Sequence, residues 1–282
     1  MTSLAISMNK HLFWHLMLLS AIIFGSITTV RAVPQPDQDL ESILFLGASN
    51  SVEEIDSVPR NGSYVSFLRH YGSPWDTINI LDGSVSGYGV ADYFGNIELV
   101  NDTVFESNVE YVVIVLGGND FLGMFAPTVF EERFTWLIQA ILFLDTTNSL
   151  KQIFVANIYW ALVTLNEERT RSFEQYLEII DQTSKDNNYP LLDFFNVTEN
   201  QEDYYVDNIH LNDLGHQAIA QEVDLVVGPY LSGDKARVSA FDIPPTIFSY
   251  DFENDETPFP FAIFLVVFIV LKTFKKISRR RT

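Results

Sequence analysis

The chain has 282 residues, 47% of them hydrophobic, enough to bury a sizeable core in one large domain or two small ones. It contains no cysteine, which excludes disulfides, thiolate metal sites, iron–sulfur clusters and cysteine nucleophiles. The net charge is −20 and all 37 acidic residues fall between positions 33 and 258; such a body repels phosphate backbones, so no nucleic-acid partner is expected.

The first 32 residues carry Lys10, an apolar run through Leu16–Gly25, and the end Val30-Arg31-Ala32. A positive start, an apolar core and small residues at Val30 and Ala32 predict a secretory signal peptide over 1–32, cleaved after Ala32, with an uncleaved anchor as the alternative. Residues 33–41, with two prolines and three acids, read as a linker.

From Ser42 to Leu231 apolar runs alternate with helical patterns. Strands are expected at Ile43–Leu46, Thr77–Leu81, Tyr111–Leu116, Gln152–Ile158 and Pro190–Phe194. Thr128 and Glu131 have the spacing of a capping box. Behind them Phe130, Phe134, Leu137, Ile138, Ile141 and Leu142 form one helical stripe. Phe173, Tyr176, Leu177 and Ile180 form a second stripe. Asn212 or Asp213 is placed to cap a last helix through Leu214, Ala218, Ile219 and Val223. Five strands alternating with helices predict an α/β fold of three α/β/α layers, with a five-stranded parallel sheet of flavodoxin-like type, over residues 42–231.

Residues 232–257 are polar and include the run Asp251–Glu256, which lacks the spacing and glycine of a calcium-binding EF-hand loop and reads as an acidic stalk. Residues 258–282 hold eleven unbroken apolar residues, Phe261–Leu271, followed by Lys272, Lys275, Lys276 and Arg279–Arg281. A bilayer span needs about 20 residues, which Phe259–Ile277 nearly supplies if the lysines snorkel outward. The basic end predicts a C-terminal transmembrane anchor with the body outside the cytoplasm.

Polar residues of a chemically useful kind follow the apolar runs. Ser49 follows the first strand in Gly47-Ala48-Ser49-Asn50-Ser51. A hydroxyl held at the carboxyl edge of a parallel sheet is well placed as a nucleophile, although the same residues suit a turn and a helix cap. Gly87 lies beyond the second strand, where a glycine offers its backbone N–H unobstructed. Asn119, in Gly117-Gly118-Asn119-Asp120, carries a side-chain amide suited to an oxyanion and equally to a turn. His210 follows the fifth strand three residues after Asp207; the carboxylate can accept from the imidazole Nδ1, and a simple capping pair has the same spacing. His70 falls at a helix end, and His216 in the first turn of the last helix, where it either packs or faces solvent.

These blocks, in this order and each at a strand end, resemble those of the SGNH hydrolases, the GDSL-type esterases and lipases. The resemblance covers Ser42–Leu231. It implies Ser49 as nucleophile, His210 as base, Asp207 as its partner, and an oxyanion hole from Ser49, Gly87 and Asn119. It also implies a carboxylic ester as substrate, whether a small molecule, a lipid or a polysaccharide, and no metal or organic cofactor. One departure is plain: the family usually has Gly-Asp-Ser-Leu where this chain has Gly47-Ala48-Ser49-Asn50. A non-catalytic binding module of the same fold, and an acyltransferase using the same residues, are the competing readings. Phe121, Leu122, Met124, Phe125, Tyr159 and Trp160 either wall an acyl pocket or belong to the core.

Overall fold

Runs of apolar residues buried on both faces leave a strand no solvent side, and the five strands lie in one all-parallel sheet. The computed structural model describes residues 40–52, 62–97, 100, 109–145, 148–159 and 165–233. The leader, nearly all of the linker, the stalk after residue 233 and the apolar C-terminal segment lie outside the described residues. All described residues fall within one of the chain's two units, Met1–Asp242. Among them, no helix is long and apolar enough to cross a membrane.

The strands are β1 (Ser42–Gly47), β2 (Asn79–Asp82), β3 (Tyr111–Val115), β4 (Gln152–Ala156) and β5 (Leu191–Leu192), in the order 2-1-3-4-5. This is the flavodoxin-like order expected from the sequence. Strand β1 is central on one side of the switch point, pairing Ile43 with Ile80 of β2 and with Tyr111 of β3. The chain passes from β1 outward to β2 and then back across to β3, so a crevice opens beyond the carboxyl ends of β1 and β3.

Side chains alternate across the sheet. Ile43, Phe45, Tyr111, Val113, Phe154, Ala156 and Leu192 belong to one core cluster with α1 (Tyr64–Leu68) and the C-terminal helix Asp213–Leu231, to which that helix gives Ile219, Ala220, Val223, Val227 and Tyr230. Their neighbours Leu44, Leu46, Val112, Ile114, Ile153 and Val155 are as deeply buried and face the other way. Beyond α1, the chain forms α2 (Val90–Gly95), α3 (Gly118–Leu122), α4 (Pro127–Leu144) and α5 (Glu167–Asn187), with α2 against α4 and α4 against α5. It then adds α6 (Phe194–Thr198) beside the C-terminal helix, α7. The three layers are thus the expected ones.

Local details depart from the sequence pattern for identifiable reasons. Helix α4 starts two residues earlier than the Thr128–Glu131 spacing suggested: Ala126 is its N-cap and Pro127 its first residue, so no capping box forms. On its stripe Leu144 is buried and Leu142 only partly so. Strand β2 begins at Asn79 because Trp75–Thr77 is a 3₁₀ turn, in which the Thr77 hydroxyl donates to the Pro74 carbonyl at 2.7 Å. Strand β5 stops at Leu192 because Asp193 caps α6, accepting from the Asn196 N–H, and Phe194 is already helical. Asn212 caps α7, its side-chain oxygen accepting from Leu214 and Gly215 N–H at 2.9 and 3.1 Å. Leu214 is exposed on that first turn and not packed as its spacing implied. Under α4 the rings of Phe134, Phe130 and Tyr176 stack in series, and the Phe130 and Tyr176 centroids are 4.4 Å apart. Truncating a ring buried this way costs about 3–5 kcal/mol.

Candidate active site

Gly47 ends β1 and the chain turns at once, the Ser51 N–H donating to the Ala48 carbonyl at 2.9 Å. A Cβ on Gly47 would stand 2.0 Å from Ser51 Oγ, so only glycine allows so tight a return. Ser49 and Asn50, on the crest of this turn, are 7% and 3% exposed. Beneath them Ser51 Oγ and the buried Tyr64 hydroxyl are 2.8 Å apart, and the Tyr64 ring stacks on His216, which is fully buried. His216 therefore packs within the core, and burial pushes the Tyr64 hydroxyl far above the usual phenol range.

The β1 and β2 ends are tied by Tyr93. Its hydroxyl lies 2.6 Å from the Gly47 carbonyl and 2.9 Å from that of Gly83, and accepts from the Val85 N–H at 3.1 Å. After β2 the chain reaches Gly87 with φ +83°, a left-handed conformation that favours glycine, on an exposed turn. Gly117, φ +115°, makes the corresponding turn after β3 and starts α3, whose second residue is Asn119. Asn119 Nδ2 donates to the Tyr88 carbonyl at 2.9 Å, which holds the amide beside the Gly87 turn. A primary amide has two N–H groups, so this bond orients the side chain without exhausting it. Asp120, buried, accepts from the Val90 N–H on both oxygens at 3.1 and 3.0 Å and links the β3 end to α2. Burial raises its pKa, against the lowering effect of those backbone bonds.

The fourth block is a tight loop. Asp207 Oδ1 accepts from the Ile209 N–H at 2.7 Å and the His210 N–H at 2.6 Å, while Oδ2 sits 2.7 Å from His210 Nδ1. Partial burial works against the Asp207 anion, but the bonds from the His210 ring and from the two backbone N–H groups outweigh it and hold the carboxyl below its ordinary value. The backbone of the loop is fixed on its other side by Val206 N–H donating to the His210 carbonyl at 3.0 Å, next to the Tyr205–Leu211 antiparallel bridge. With Nδ1 committed to the carboxylate, Nε2 is the nitrogen left to exchange a proton with a substrate or nucleophile.

Two side chains bring this loop to the β1 turn. Asn50 Oδ1 accepts from the Leu211 N–H at 2.9 Å; Asn50 Nδ2 donates to the Ile209 carbonyl at 3.3 Å and to the Tyr159 hydroxyl at 2.5 Å. The residue after Ser49 thus touches the residues on both sides of His210. His70, by contrast, is exposed just past the end of α1, as its position implied.

A cleft lies alongside, lined by residues that include Ala48, Asn50, Leu116, Asn119, Ile158 and Tyr159, with about 320 Å³ of non-atom space including open solvent. Of the aromatic and apolar residues named as its candidate walls, Tyr159 lines it. Phe121 is core, its ring 5.1 Å from Phe173 with the Arg169 guanidinium 4.2 Å from its centroid. Met124 and Phe125 are exposed, Leu122 is half-buried, and Trp160 lies outside the described residues. Among the described residues no three His, Asp or Glu side chains converge to hold a metal. The roles of Asn50 and Tyr93 are the ones that sequence reasoning missed. For Asn50 a signal existed: an amide stands where the family pattern carries leucine.

Comparison with known proteins gives the family and the fold. The GDSL-like lipase/acylhydrolase family model matches residues 42–218. No curated protein matches the chain. Among solved structures, the psychrotrophic esterase EstA from Pseudoalteromonas sp. superposes with a TM-score of 0.54 at 19% identity, covering 68% of this chain and 99% of its own. Axe2, an acetylxylan esterase from Geobacillus stearothermophilus, gives 0.53 at 19% identity over 67% of this chain and 94% of that one. LAE5, an α/β hydrolase from the metagenome of Lake Arreo, gives 0.53 at 19% identity over 67% and 95%. At such identities these likenesses concern the fold; the family match, spanning the four blocks from Ser49 to His210, goes further. The chain belongs to the GDSL-like lipase/acylhydrolase family and is an ester-hydrolysing enzyme.

Proposed function

We propose that the enzyme hydrolyses carboxylic esters through an acyl-Ser49 intermediate. His210 Nε2 takes the Ser49 proton as Ser49 Oγ attacks the ester carbonyl. The oxyanion that forms is held by the backbone N–H groups of Ser49 and Gly87 and by the Asn119 amide. His210 then gives its proton to the leaving alcohol, and it activates the water that releases the acid and restores Ser49. Asp207 fixes the Nδ1–H tautomer and stabilises the imidazolium while it lasts. The observation that carries this reading is the 2.7 Å Asp207–His210 couple on a loop bonded directly to the turn that holds Ser49. The cleft beside that turn is small and its apolar walls Val115, Leu116 and Ile158 are buried, which supports a short acyl group. The acetylxylan esterase among the structural neighbours is consistent with such a preference.

Ser49→Ala is expected to abolish both hydrolysis and labelling by a fluorophosphonate probe in a protein that melts normally. Labelling that survives in Ser49→Ala and disappears in Ser51→Ala or Ser86→Ala refutes the nucleophile. On p-nitrophenyl esters, acetate and butyrate should exceed octanoate in kcat/KM; the reverse order refutes the short acyl group.

We further propose an exported, tethered enzyme: a signal peptide over 1–32, a linker over 33–41, the catalytic domain over 42–231, an acidic stalk over 232–257 and a transmembrane anchor over 258–282. The support is the charge pattern, with no acid in the apolar end segments and a basic cluster after the second. The full chain should fractionate with membranes and resist high-salt extraction, and truncation after Thr257 should release an active enzyme. Extraction by salt alone refutes the anchor.

A further inference from the structure

Asn50 makes a pair of bonds that no other residue type of its size could make. The Leu211 N–H is a donor and the Ile209 carbonyl an acceptor, and the polarity of these two peptide groups fixes the amide orientation: Oδ1 toward Leu211 at 2.9 Å, Nδ2 toward Ile209 at 3.3 Å. A residue in a parallel ladder bonds in this way to the two residues flanking its partner. The Asn50 side chain thus acts as a one-residue strand paired opposite His210. Its remaining N–H goes to the Tyr159 hydroxyl at 2.5 Å, beyond the end of β4. Aspartate could not donate to Ile209, and leucine, the usual family residue here, could make neither bond. Asn50 itself is 3% exposed and sits on a turn that permits only glycine at Gly47, so the anchor is stiff. The loop it holds is tied within itself: Asp207 is half exposed, and its bonds to Ile209 and His210 are internal to the loop. They set the imidazole relative to the loop, and Asn50 sets the loop relative to Ser49.

We infer that Asn50 is a positioning residue that fixes the distance and angle between Ser49 and the His210 imidazole through the peptide groups on either side of that histidine. This rests on His210 being the base. Asn50 is neither the nucleophile, the base nor an oxyanion donor, and although it also lines the cleft, its bonds to the peptide groups flanking His210 act through that histidine. A misplacement of the order of 1 Å can cost about 10²-fold in rate.

The test is a pair of double-mutant cycles on the full chain with p-nitrophenyl acetate. Asn50→Ala is expected to lower kcat about 10–100-fold at unchanged KM. In the His210→Ala background Asn50→Ala should cause no further loss, whereas with Asn119→Ala the two losses should multiply. Asn50→Leu fills the same space and removes both bonds, so it should repeat the pattern even where the alanine variant unfolds. A folded Asn50→Leu enzyme with wild-type kcat overturns the inference. So does a change confined to KM, or an undiminished Asn50 effect in His210→Ala. Wild-type kcat in His210→Ala itself would instead overturn the base assignment, and this inference with it.

Discussion

Replacing Asp207 by asparagine changes one atom and should cost more than deleting the side chain. Asp207 Oδ1 accepts two backbone N–H groups, from Ile209 and His210, at 2.7 and 2.6 Å. An asparagine keeps its oxygen there, because turning the NH₂ onto two N–H donors would set donor against donor and lose both bonds. The NH₂ therefore replaces Oδ2 and faces His210 Nδ1 from 2.7 Å. Only an Nδ1 lone pair can accept it, so the proton moves to Nε2, and Nε2 can no longer take a proton from Ser49. Two effects add: the wrong tautomer is favoured by a hydrogen bond of about 0.5–1.5 kcal/mol, and the imidazolium loses a charge-assisted bond of about 1.5–3 kcal/mol. At 1.36 kcal/mol per tenfold, the sum of about 2–4.5 kcal/mol is a loss of roughly 30- to 2,000-fold in kcat. Asp207→Ala loses only the second contribution and leaves the tautomer free, so it should fall roughly 10- to 150-fold. Steady-state kinetics on p-nitrophenyl acetate at neutral pH measure both. An asparagine variant as fast as the alanine variant, or faster, refutes the reasoning. Stability should follow pH with a definite sign. The folded Asp207 carboxyl lies below its ordinary value, so its stabilisation is present above the ordinary carboxylate pKa and lost as pH falls through the folded one. The wild-type advantage in Tm over Asp207→Asn should be constant near neutrality and shrink under acid.

Asn119→Ala should lower kcat about 10²–10³-fold with KM nearly unchanged, as for the loss of one oxyanion donor; a loss confined to KM would make Asn119 a substrate-binding residue instead. His216→Ala should act on stability alone: it empties a fully buried site stacked on Tyr64, so thermal unfolding should show a loss of about 2–4 kcal/mol while kcat of the folded fraction stays near wild type. His70→Ala, at an exposed helix end, should change neither, and a His70 effect comparable to that of His210 would contradict the assigned base.

The sequence by itself determined the strand cores, the parallel sheet and the four polar blocks, because each is written in local terms. Val112–Val115 and Ile43–Leu46 are short apolar runs without interruption, rich in β-branched residues or set before a glycine turn, which suits a strand covered on both faces, and Asp207 and His210 are close enough in sequence to meet on one turn. What it misplaced were the edges of elements, where a neighbouring side chain outweighs periodicity: Asp193 ends β5 two residues early by capping α6, and Pro127 starts α4 ahead of Thr128. Whether His216 packed or faced solvent, and whether Phe121 lined a pocket or the core, depended on which helix crossed which, information carried by no local pattern. The same holds for the join between Ser49 and His210. Asn50 reads locally as a turn residue, and its partners Ile209 and Leu211 lie about 160 positions away, so the amide acquires its role only when the β1 turn and the histidine loop arrive at the same edge of the sheet. Local composition sets which residues a strand end presents; the sheet order 2-1-3-4-5 decides which of them meet.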